Sequence, residues 1–587
     1  MTLNSLNSPS TLRKSKNLAD YLPFLRWLAQ YRREDLVGDL MAGLIVAIML
    51  VPQGMAYALL AGLPPEVGLY ASIVPLLIYG LLGTSRTLAV GPVAIVSLLV
   101  ATGVSGLAEP GSAQYLQLAL TLALLVGLIQ FGMGLIRLGF LVNFLSHPVL
   151  AGFTSAAAIV IGFSQLKHLL GISMPRTEAF HELVLYAAMH LAETHLTTLI
   201  IGLVSVAILF YFKQGLAPQL QRMGLQESLV IPLAKAGPLI VVVIGTLLVW
   251  GLGLNESAGI KIVGEVPAGL PPLTLPGFDF SIWQALLPTA LVIGFVGYME
   301  SISVAKSLAS KRRQKVEANQ ELVALGMANF GAAFTGGYPV TGGFSRSVVN
   351  FAAGANTGLA SMVTAILIGL TVIFLTPLFY FLPQAVLAAI IIVAVTGLID
   401  VATFKHVWHY NKADAVSMLV TFVAVLVVGI ETGILVGVAS TVLLYIWRTS
   451  RPHYALVGRL GESETYRNIL RHEVKTCPHV VTIRVDESLY FANTKFLEDT
   501  ILKLVAERPE VKHLVLVGIA VNFIDASALE TLEALIHELR DAGVEFHLAD
   551  IKGPVMDRLK AVGFVDYVGP NHIHLSTHEA MQALRCS

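Results

Sequence analysis

Charged residues are distributed very unevenly along this chain, and this distribution restricts its fold more than any other feature. Residues 38–450 include 33 charged side chains in 413 positions, about 8%, whereas residues 451–587 include 34 in 137, about 25%. Soluble domains carry about 25% charged residues, so the first region cannot form a water-exposed surface. We therefore predict a polar N-terminal segment at 1–37, a membrane domain at 38–450 and a soluble domain at 451–587.

The overall composition excludes several classes of function. Lys plus Arg and Asp plus Glu both total 38, so no net positive field favours nucleic acid as a partner. Two cysteines, Cys477 and Cys586, rule out a disulfide scaffold and a cysteine-rich metal site. The sixteen histidines show no ligand spacing, and no HExxH, GxSxG or Walker motif occurs. We therefore predict no metal, no cofactor and no enzyme activity.

Apolar stretches of about 17–25 residues predict about fourteen membrane spans. Two of the segments, 91–104 and 344–353, are too short to cross about 30 Å alone, and glycine and proline precede both. The other predicted spans are 38–62, 67–83, 115–136, 147–170, 194–212, 236–254, 284–309, 316–334, 358–381, 383–400, 414–430 and 431–448.

The loop charges predict the orientation in the bilayer. With fourteen spans, both termini lie on one side, and twelve Lys and Arg residues fall in the inter-helix loops of that side. The opposite loops carry only Arg176 and Lys261, with Lys167 near a helix end. Because positive loops face the cytoplasm, we expect cytoplasmic N- and C-termini and a multi-pass protein of the inner (plasma) membrane.

The two halves of the membrane domain resemble each other. The Val-Leu-Ala at 149–151 recurs at 386–388, and the two short segments are offset by roughly 250 residues. Because seven is an odd number of spans, two such halves must have opposite orientations in the membrane. Paired short segments in equivalent places of two inverted halves are typical of a transporter binding site.

The short segments have the chemistry of an anion site. A helix that begins inside the membrane presents unpaired N–H groups and a partial positive charge, and two facing helices can bind an anion. The first begins near Val93 and Ala94, and the second contains Ser345, Arg346 and Ser347. The serines add hydroxyl donors and Arg346 adds a full charge, which is costly in a membrane and therefore a functional candidate.

Two polar residues of the first span are further candidates. Gln53 and Tyr57 are four residues apart and therefore share one helix face. Both can donate hydrogen bonds into the cavity, although the same residues could instead join two helices.

Glu300 is the only acidic residue that the sequence places well inside a predicted span. A carboxyl group in a low dielectric favours its neutral form and can therefore carry a proton. Two alternatives are open: Glu300 could coordinate Na⁺ with Ser301 or Ser303, or it could be a fixed structural partner of Arg346.

Several motifs together resemble the SulP sulfate permease family of anion transporters. The resemblance extends from about residue 20 to the C-terminus. The matching segments are Val-Pro-Gln-Gly-Met-Ala-Tyr-Ala (51–58), Gly-Leu-Pro-Pro (62–65), Gly-Leu-Tyr (68–70), Val-Gly-Pro (90–92), Gly-Gly-Tyr-Pro (336–339) and Phe-Ser-Arg-Ser (344–347).

The resemblance implies a fold and a site. The fold is an α-helical membrane protein with fourteen transmembrane segments as a seven-plus-seven inverted repeat, in which a mobile core domain moves against a gate domain, and a homodimer is implied. The site lies between the third and tenth helix N-termini. Carried over to this sequence, it consists of Gln53, Tyr57, Val93 with Ala94, Ser345 and Arg346, and Glu300 matches the acid that sulfate/proton symporters use for coupling.

The soluble region reads as a small α/β domain. Residues 478–486 and 512–519 are predicted strands, and the periodicity at 494–507, 526–541 and 553–562 predicts helices. The Asp-Ala-Ser at 525–527 resembles the loop of STAS domains, with Asp525 as a helix N-cap. In related anti-anti-sigma proteins the serine that matches Ser527 is phosphorylated, but Ala528 replaces the usual glycine, so we favour a structural and dimerising role.

These features together predict secondary active import of sulfate or a related inorganic oxyanion, with H⁺ as the coupling ion. Some family members have an aromatic residue at the position of Val93, and valine leaves more room for a polyatomic anion than for chloride. The alternatives are a bicarbonate or dicarboxylate transporter that is Na⁺-coupled or exchanges anions, and a passive anion channel.

Overall fold

The computed structural model describes residues 22–140, 146–174, 180–225 and 227–586. Most of the predicted segment 1–37 and the loop residue Arg176 therefore lie outside the described residues. The chain forms two compact units, Met1–Thr441 and Val442–Ser587. This division marks compactness and not the membrane surface, so the boundaries at residues 37 and 450 stay predictions.

The first unit is almost entirely helical. Its first half contains α1 Phe24–Ala29, α2 Arg33–Leu60, α3 Pro65–Tyr70, α4 Val74–Leu82, β1 Val90–Gly91, α5 Ala94–Ser105, α6 Ala113–Leu135, α7 His147–Ser164, α8 Leu166–Leu170, α9 Phe180–Met189, α10 Leu196–Phe210, α11 Leu216–Arg222, α12 Glu227–Lys235, α13 Gly237–Leu252 and α14 Leu254–Ser257. Its second half contains α15 Phe280–Lys311, α16 Ala318–Phe334, β2 Thr341–Gly342, α17 Phe344–Ala352, α18 Leu359–Phe374, α19 Gln384–Val395, α20 Val401–Tyr410, α21 Lys412–Val428 and the start of α22 Ile430–Ser450. The last residues of α22, from Val442, belong to the second unit.

The apolar helices of this unit are those of a membrane protein. In the described part of the chain, eight helical segments are long and apolar enough to cross a bilayer, and four shorter apolar helices accompany them. In the segments Leu196–Arg222 and Ile430–Ser450, only 22% of the most apolar window is buried. Soluble proteins rarely expose so much apolar surface to water, whereas a lipid bilayer accommodates it. The number of fourteen spans stays a prediction.

The two short segments have the predicted broken form. α5 follows β1, and α17 follows β2. The two short strands pair with each other in an antiparallel manner, with Val90 opposite Gly342 and Gly91 opposite Thr341. Both half-helices therefore start from a single two-stranded ladder inside the helical unit.

A polar network fixes this ladder to α15. The Ser301 hydroxyl donates to Thr341 Oγ1 at 2.7 Å and accepts from the Gly342 N–H at 2.8 Å. Thr341 donates in turn to the Gly297 carbonyl at 2.6 Å. On the other strand, the Ala89 N–H donates to Ser347 Oγ at 2.9 Å. Because all these groups are buried, each needs the partner that it has.

The first unit buries two carboxylates that the sequence did not single out. Asp39 and Glu321 are both 0% exposed, so Glu300 is not the only acidic residue in the interior of this unit. Asp39 accepts bonds from the Asn356 and Thr357 backbone N–H groups and from two hydroxyls. Glu321 accepts bonds from the Tyr79 hydroxyl, the Thr84 hydroxyl and two backbone N–H groups. Both carboxylates thus act as satisfied structural links between helices.

The second unit alternates strands and helices. Its elements are β3 Tyr454–Arg459, β4 Tyr466–Asn468, β5 Val480–Val485, α23 Thr494–Ala506, β6 His513–Val517, α24 Ala526–Asp541, β7 Glu545–Ala549, α25 Gly553–Ala561, α26 Phe564–Val568, β8 Ile573–His574 and α27 Thr577–Ala583. The strands form a six-stranded sheet in the order β4-β3-β5-β6-β7-β8, in which β5 to β8 are parallel. Helices α23, α24 and α25 cover one face, and α27 covers the other.

The sequence predicted two strands and three helices here, and all five are confirmed. It missed β3, β4, β7 and β8. The structure also joins Cys477 to Cys586 in a disulfide across 109 residues, a pairing that the sequence did not predict. On β7, burial and then the neighbouring His572, His513 and His574 lower the pKa of His547 to about 3, so this side chain is neutral near pH 7.

We expect Ser301→Ala to destabilise the first unit by about 1–3 kcal/mol, because it leaves the Gly342 N–H without a partner in a buried place. The measurement is the thermal unfolding midpoint of the purified protein in detergent. Ser303→Ala, on the exposed side of the same helix, is the matched control. Equal midpoints for the two variants would contradict the structural role of Ser301.

Candidate functional site

Seven of the membrane residues singled out from the sequence line one cavity, and Ser347 is not among them. It has a volume of about 60 Å³, which is room for a small ion and far less than a drug-sized ligand needs. α2, the starts of α5 and α17, α15 and the end of α19 form its walls. The seven residues are Gln53, Tyr57, Val93, Ala94, Glu300, Ser345 and Arg346.

Arg346 lines this cavity from α17 with a charged side chain that is only 3% exposed. Its Nη1 donates to the Pro92 carbonyl at 2.8 Å, at the start of the other half-helix. Its Nε and Nη2 atoms are buried and have no hydrogen-bond partner among the described residues. Arg346 therefore keeps donors available after it has joined the two half-helices.

Two helix N-termini open into the same space. α5 begins after Val93 and α17 after Gly343, and neither helix has a side-chain cap or an acidic residue in its first turn. The first N–H groups of a helix have no intrahelical partner, and the helix dipole adds a partial positive charge there. Backbone donors from both half-helices are therefore available beside Arg346.

Glu300 reaches the cavity from α15 and lies beside the backbone N–H of Phe344. Its Oε2 atom is buried without a hydrogen-bond partner in the described part of the chain. No salt bridge joins it to Arg346 among the described residues. Glu300 and Arg346 thus line the same cavity without forming a salt bridge with each other.

Gln53 and Tyr57 face the cavity from α2, and each is 6% exposed. Their shared helix face is as the sequence predicted. Ser345 is accessible at the start of α17. Ser347 is different, because its hydroxyl bonds the Ala89 N–H and the Gly343 carbonyl. The expectation that Ser347 contributes a free donor is therefore wrong.

The sequence did not predict several of the residues that line the cavity. Ala394, Val395 and Leu398 close the wall at the end of α19, and apolar residues in a span give no signal of a site. Gly343 did have a signal, since it belongs to the Gly-Gly pair before α17. A Cβ at residue 343 would lie 2.9 Å from Arg346 Nη2, so the glycine leaves space for the guanidinium.

Ser527 lies in the other unit, exposed in the first turn of α24. Asp525 caps this helix, accepting from the Ala528 N–H at 2.8 Å and from the Phe491 N–H at 2.9 Å. The predicted N-cap is confirmed. The structural and dimerising role that the sequence favours over a regulatory role of Ser527 stays a prediction.

An apolar helical unit with two broken helices facing one small polar cavity, followed by an α/β unit, defines a membrane transport protein. The Sulfate permease family matches residues 36–421, and the STAS domain matches residues 471–580. The chain belongs to the sulfate permease family and carries a C-terminal STAS domain. It is an integral membrane anion transporter and not an enzyme.

Similar proteins cover nearly the whole chain. A probable sulfate transporter 4.2 of Arabidopsis thaliana is 38% identical over 574 residues, which are 95% of this chain and 83% of the relative. The high affinity sulfate transporter 2 of Stylosanthes hamata is 33% identical over 578 residues, or 95% of this chain and 85% of the relative.

A solved structure shares the fold of both parts. The murine solute carrier 26 family member A9, an anion transporter in the inward-facing state, has a TM-score of 0.88 at 27% identity. The match covers 98% of this chain and 96% of that chain. This architecture bears out the predicted fold class of a helical membrane protein with a STAS domain.

We expect Gly343→Ala to raise the KM for anion uptake about tenfold, because the new Cβ displaces the Arg346 guanidinium and removes a charged hydrogen bond worth ~1.5 kcal/mol. The measurement is uptake of a labelled anion by proteoliposomes. Gly132→Ala on α6, where a Cβ meets no atom within 4 Å, is the control. An unchanged KM in Gly343→Ala would show that the guanidinium position does not matter.

Proposed function

We propose that the chain imports sulfate, or a related inorganic oxyanion, by proton symport, with the anion between the N-termini of α5 and α17. The observation that carries the proposal is the pair of unpartnered Arg346 donors beside two uncapped helix N-termini. Guanidinium and helix N-termini are the groups that bind oxyanions in proteins. The names of the relatives, which are sulfate transporters, support sulfate as the particular anion.

The shape of the site also favours an oxyanion. Sulfate has four oxygens that accept hydrogen bonds in different directions. Donors that surround the cavity meet this need: Arg346 and Ser345 from α17, backbone N–H groups from α5, and Gln53 and Tyr57 from α2. Val93, the residue directly before α5, places no bulky ring at the start of this helix.

Glu300 supplies the coupling in this proposal. An ionised carboxylate close to the bound anion repels it, so the anion binds when Glu300 is protonated. Release of the proton on the cytoplasmic side then expels the anion. Ser301 already uses its hydroxyl within the fold, which supports a proton over a Na⁺ ion held by Ser301.

Transport itself follows by alternating access. A core domain that carries the two half-helices moves against a gate domain and exposes the cavity to each side in turn. We further propose a plasma-membrane homodimer of fourteen-span protomers with cytoplasmic termini. The loop charges support this orientation. In this arrangement the STAS domain acts in assembly.

Arg346→Ala should weaken sulfate binding about 10- to 150-fold, which corresponds to ~1.5–3 kcal/mol for hydrogen bonds to a charged group. Sulfate affinity is measured by calorimetry on purified protein of verified monodispersity. Arg346→Lys keeps the charge without the forked donors and should bind with intermediate affinity. Arg313→Ala, in an exposed loop, is the control. Unchanged affinity in Arg346→Ala would remove this residue from the site.

Glu300→Gln should abolish accumulation of sulfate against its gradient while downhill exchange continues, because the amide cannot carry a proton. Labelled sulfate, bicarbonate, chloride and succinate are compared in proteoliposomes under imposed H⁺ and Na⁺ gradients. Glu256→Gln in an exposed segment is the control.

The same panel separates the alternatives. Uptake that requires Na⁺ and ignores the proton gradient would contradict the role of Glu300. Preference for bicarbonate or succinate would replace sulfate as the substrate. Passive flux without accumulation in the unaltered protein would indicate a channel.

A further inference from the structure

Four histidines and a glutamate meet at one corner of the sheet in the STAS domain. His513 and Glu545 are the first residues of β6 and β7 and lie opposite each other in the parallel ladder. His547 follows two residues later on β7, so it shares the face of Glu545. His572 directly precedes β8, and His574 is the last residue of β8. Strand pairing therefore gathers residues that are as many as 61 positions apart in the sequence.

Three ligand atoms of this cluster converge. His513 Nδ1 lies 3.2 Å from His547 Nε2 and 3.2 Å from Glu545 Oε2. The third side of the triangle, from His547 Nε2 to Glu545 Oε2, is 3.9 Å. His572 Nε2 stands at the rim, 3.9 Å from the same carboxylate oxygen.

These distances match those around a zinc ion. Nitrogen and oxygen ligands lie about 2.0–2.1 Å from Zn²⁺, so neighbouring ligands of a tetrahedral site are about 3.3 Å apart. We propose that His513, His547 and Glu545 form a Zn²⁺ site in the STAS domain, whose fourth position is open to water or to His572.

The surrounding hydrogen bonds orient the ligands for this role. When His547 binds through Nε2, its Nδ1 carries the proton and donates to His574 Nε2, which is 3.3 Å away. His572 Nδ1 lies 2.9 Å from the Val568 carbonyl, so it holds a proton and leaves the Nε2 lone pair directed at the site. Outer partners of this kind fix the tautomer and direction of metal-binding histidines.

The corner is reachable and chemically selective. The side chain of Glu545 is 57% exposed and that of His572 34%, whereas His547 is 4% exposed, so the site has a solvent entrance and a buried floor. Imidazole with a single carboxylate suits Zn²⁺ and other late first-row metals, while Mg²⁺ and Ca²⁺ prefer all-oxygen sites. The bound ion would join β6 to β7 and stabilise the domain by mass action.

The test uses the full-length protein, purified in detergent with an affinity tag that contains no histidine. Zn²⁺ binding is measured by calorimetry and by the thermal midpoint, and Co²⁺ is added as a spectroscopic probe of tetrahedral coordination. We expect one Zn²⁺ per chain, a higher midpoint with Zn²⁺, and visible absorption bands with Co²⁺.

Variants locate the ion. Glu545→Gln and His513→Gln, both on accessible positions, should weaken Zn²⁺ binding at least about tenfold and remove the midpoint shift. His537→Ala on α24, with a side chain that is 71% exposed and lies outside the cluster, should change neither. Loss of binding in both cluster variants supports the site. No Zn²⁺ binding by the unaltered protein, or equal binding by all variants, would show that the cluster is a hydrogen-bonded network without a metal.

Discussion

The antiparallel pairing of β1 with β2 is the constraint on which the transport unit depends. Inside a membrane protein, extended backbone is tolerated only when its N–H and C=O groups find partners within the protein. The stretches before α5 and α17 find them in each other, with Val90 opposite Gly342. This register fixes where both half-helices begin. It therefore places both of their N-termini next to the same cavity. A shift by one residue would separate them.

Two glycines leave the space that the Arg346 guanidinium occupies. The Arg346 guanidinium lies next to two glycines. A Cβ added at residue 343 would lie 2.9 Å from Arg346 Nη2, and a Cβ added at residue 91 would lie 3.4 Å from the same atom. Gly91 also has φ +148°, a conformation that other residues rarely adopt. Gly91 in β1 and Gly343 directly after β2 therefore leave space for the Arg346 guanidinium beside the ladder.

The sequence predicts those features that leave a local trace. Uneven charge predicts the membrane unit, Gly and Pro before short apolar segments predict α5 and α17, and isolated polar residues such as Gln53, Tyr57 and Glu300 predict the lining. What it cannot predict depends on distant pairing. Asp39 and Glu321 lie near the starts of the predicted spans 38–62 and 316–334, and the sequence does not show that they are satisfied, because the groups that bind them are as many as 318 residues away. The histidine cluster is hidden for the same reason, since only the parallel register of β6 and β7 unites it.

A comparison of the buried carboxylates explains why Glu300 is the one suited to a changing charge. Asp39 and Glu321 each accept several hydrogen bonds, which hold them in one state and tie helices together. Glu300 has an oxygen without a partner, and so does its neighbour Arg346 at two nitrogens. A buried polar group without a partner costs about 1–3 kcal/mol, and a fold keeps such atoms only where another requirement outweighs the cost. Three such atoms, two donors of Arg346 and one oxygen of Glu300, lie at one cavity. In the proposed function the donors bind the anion and the carboxylate takes up the proton.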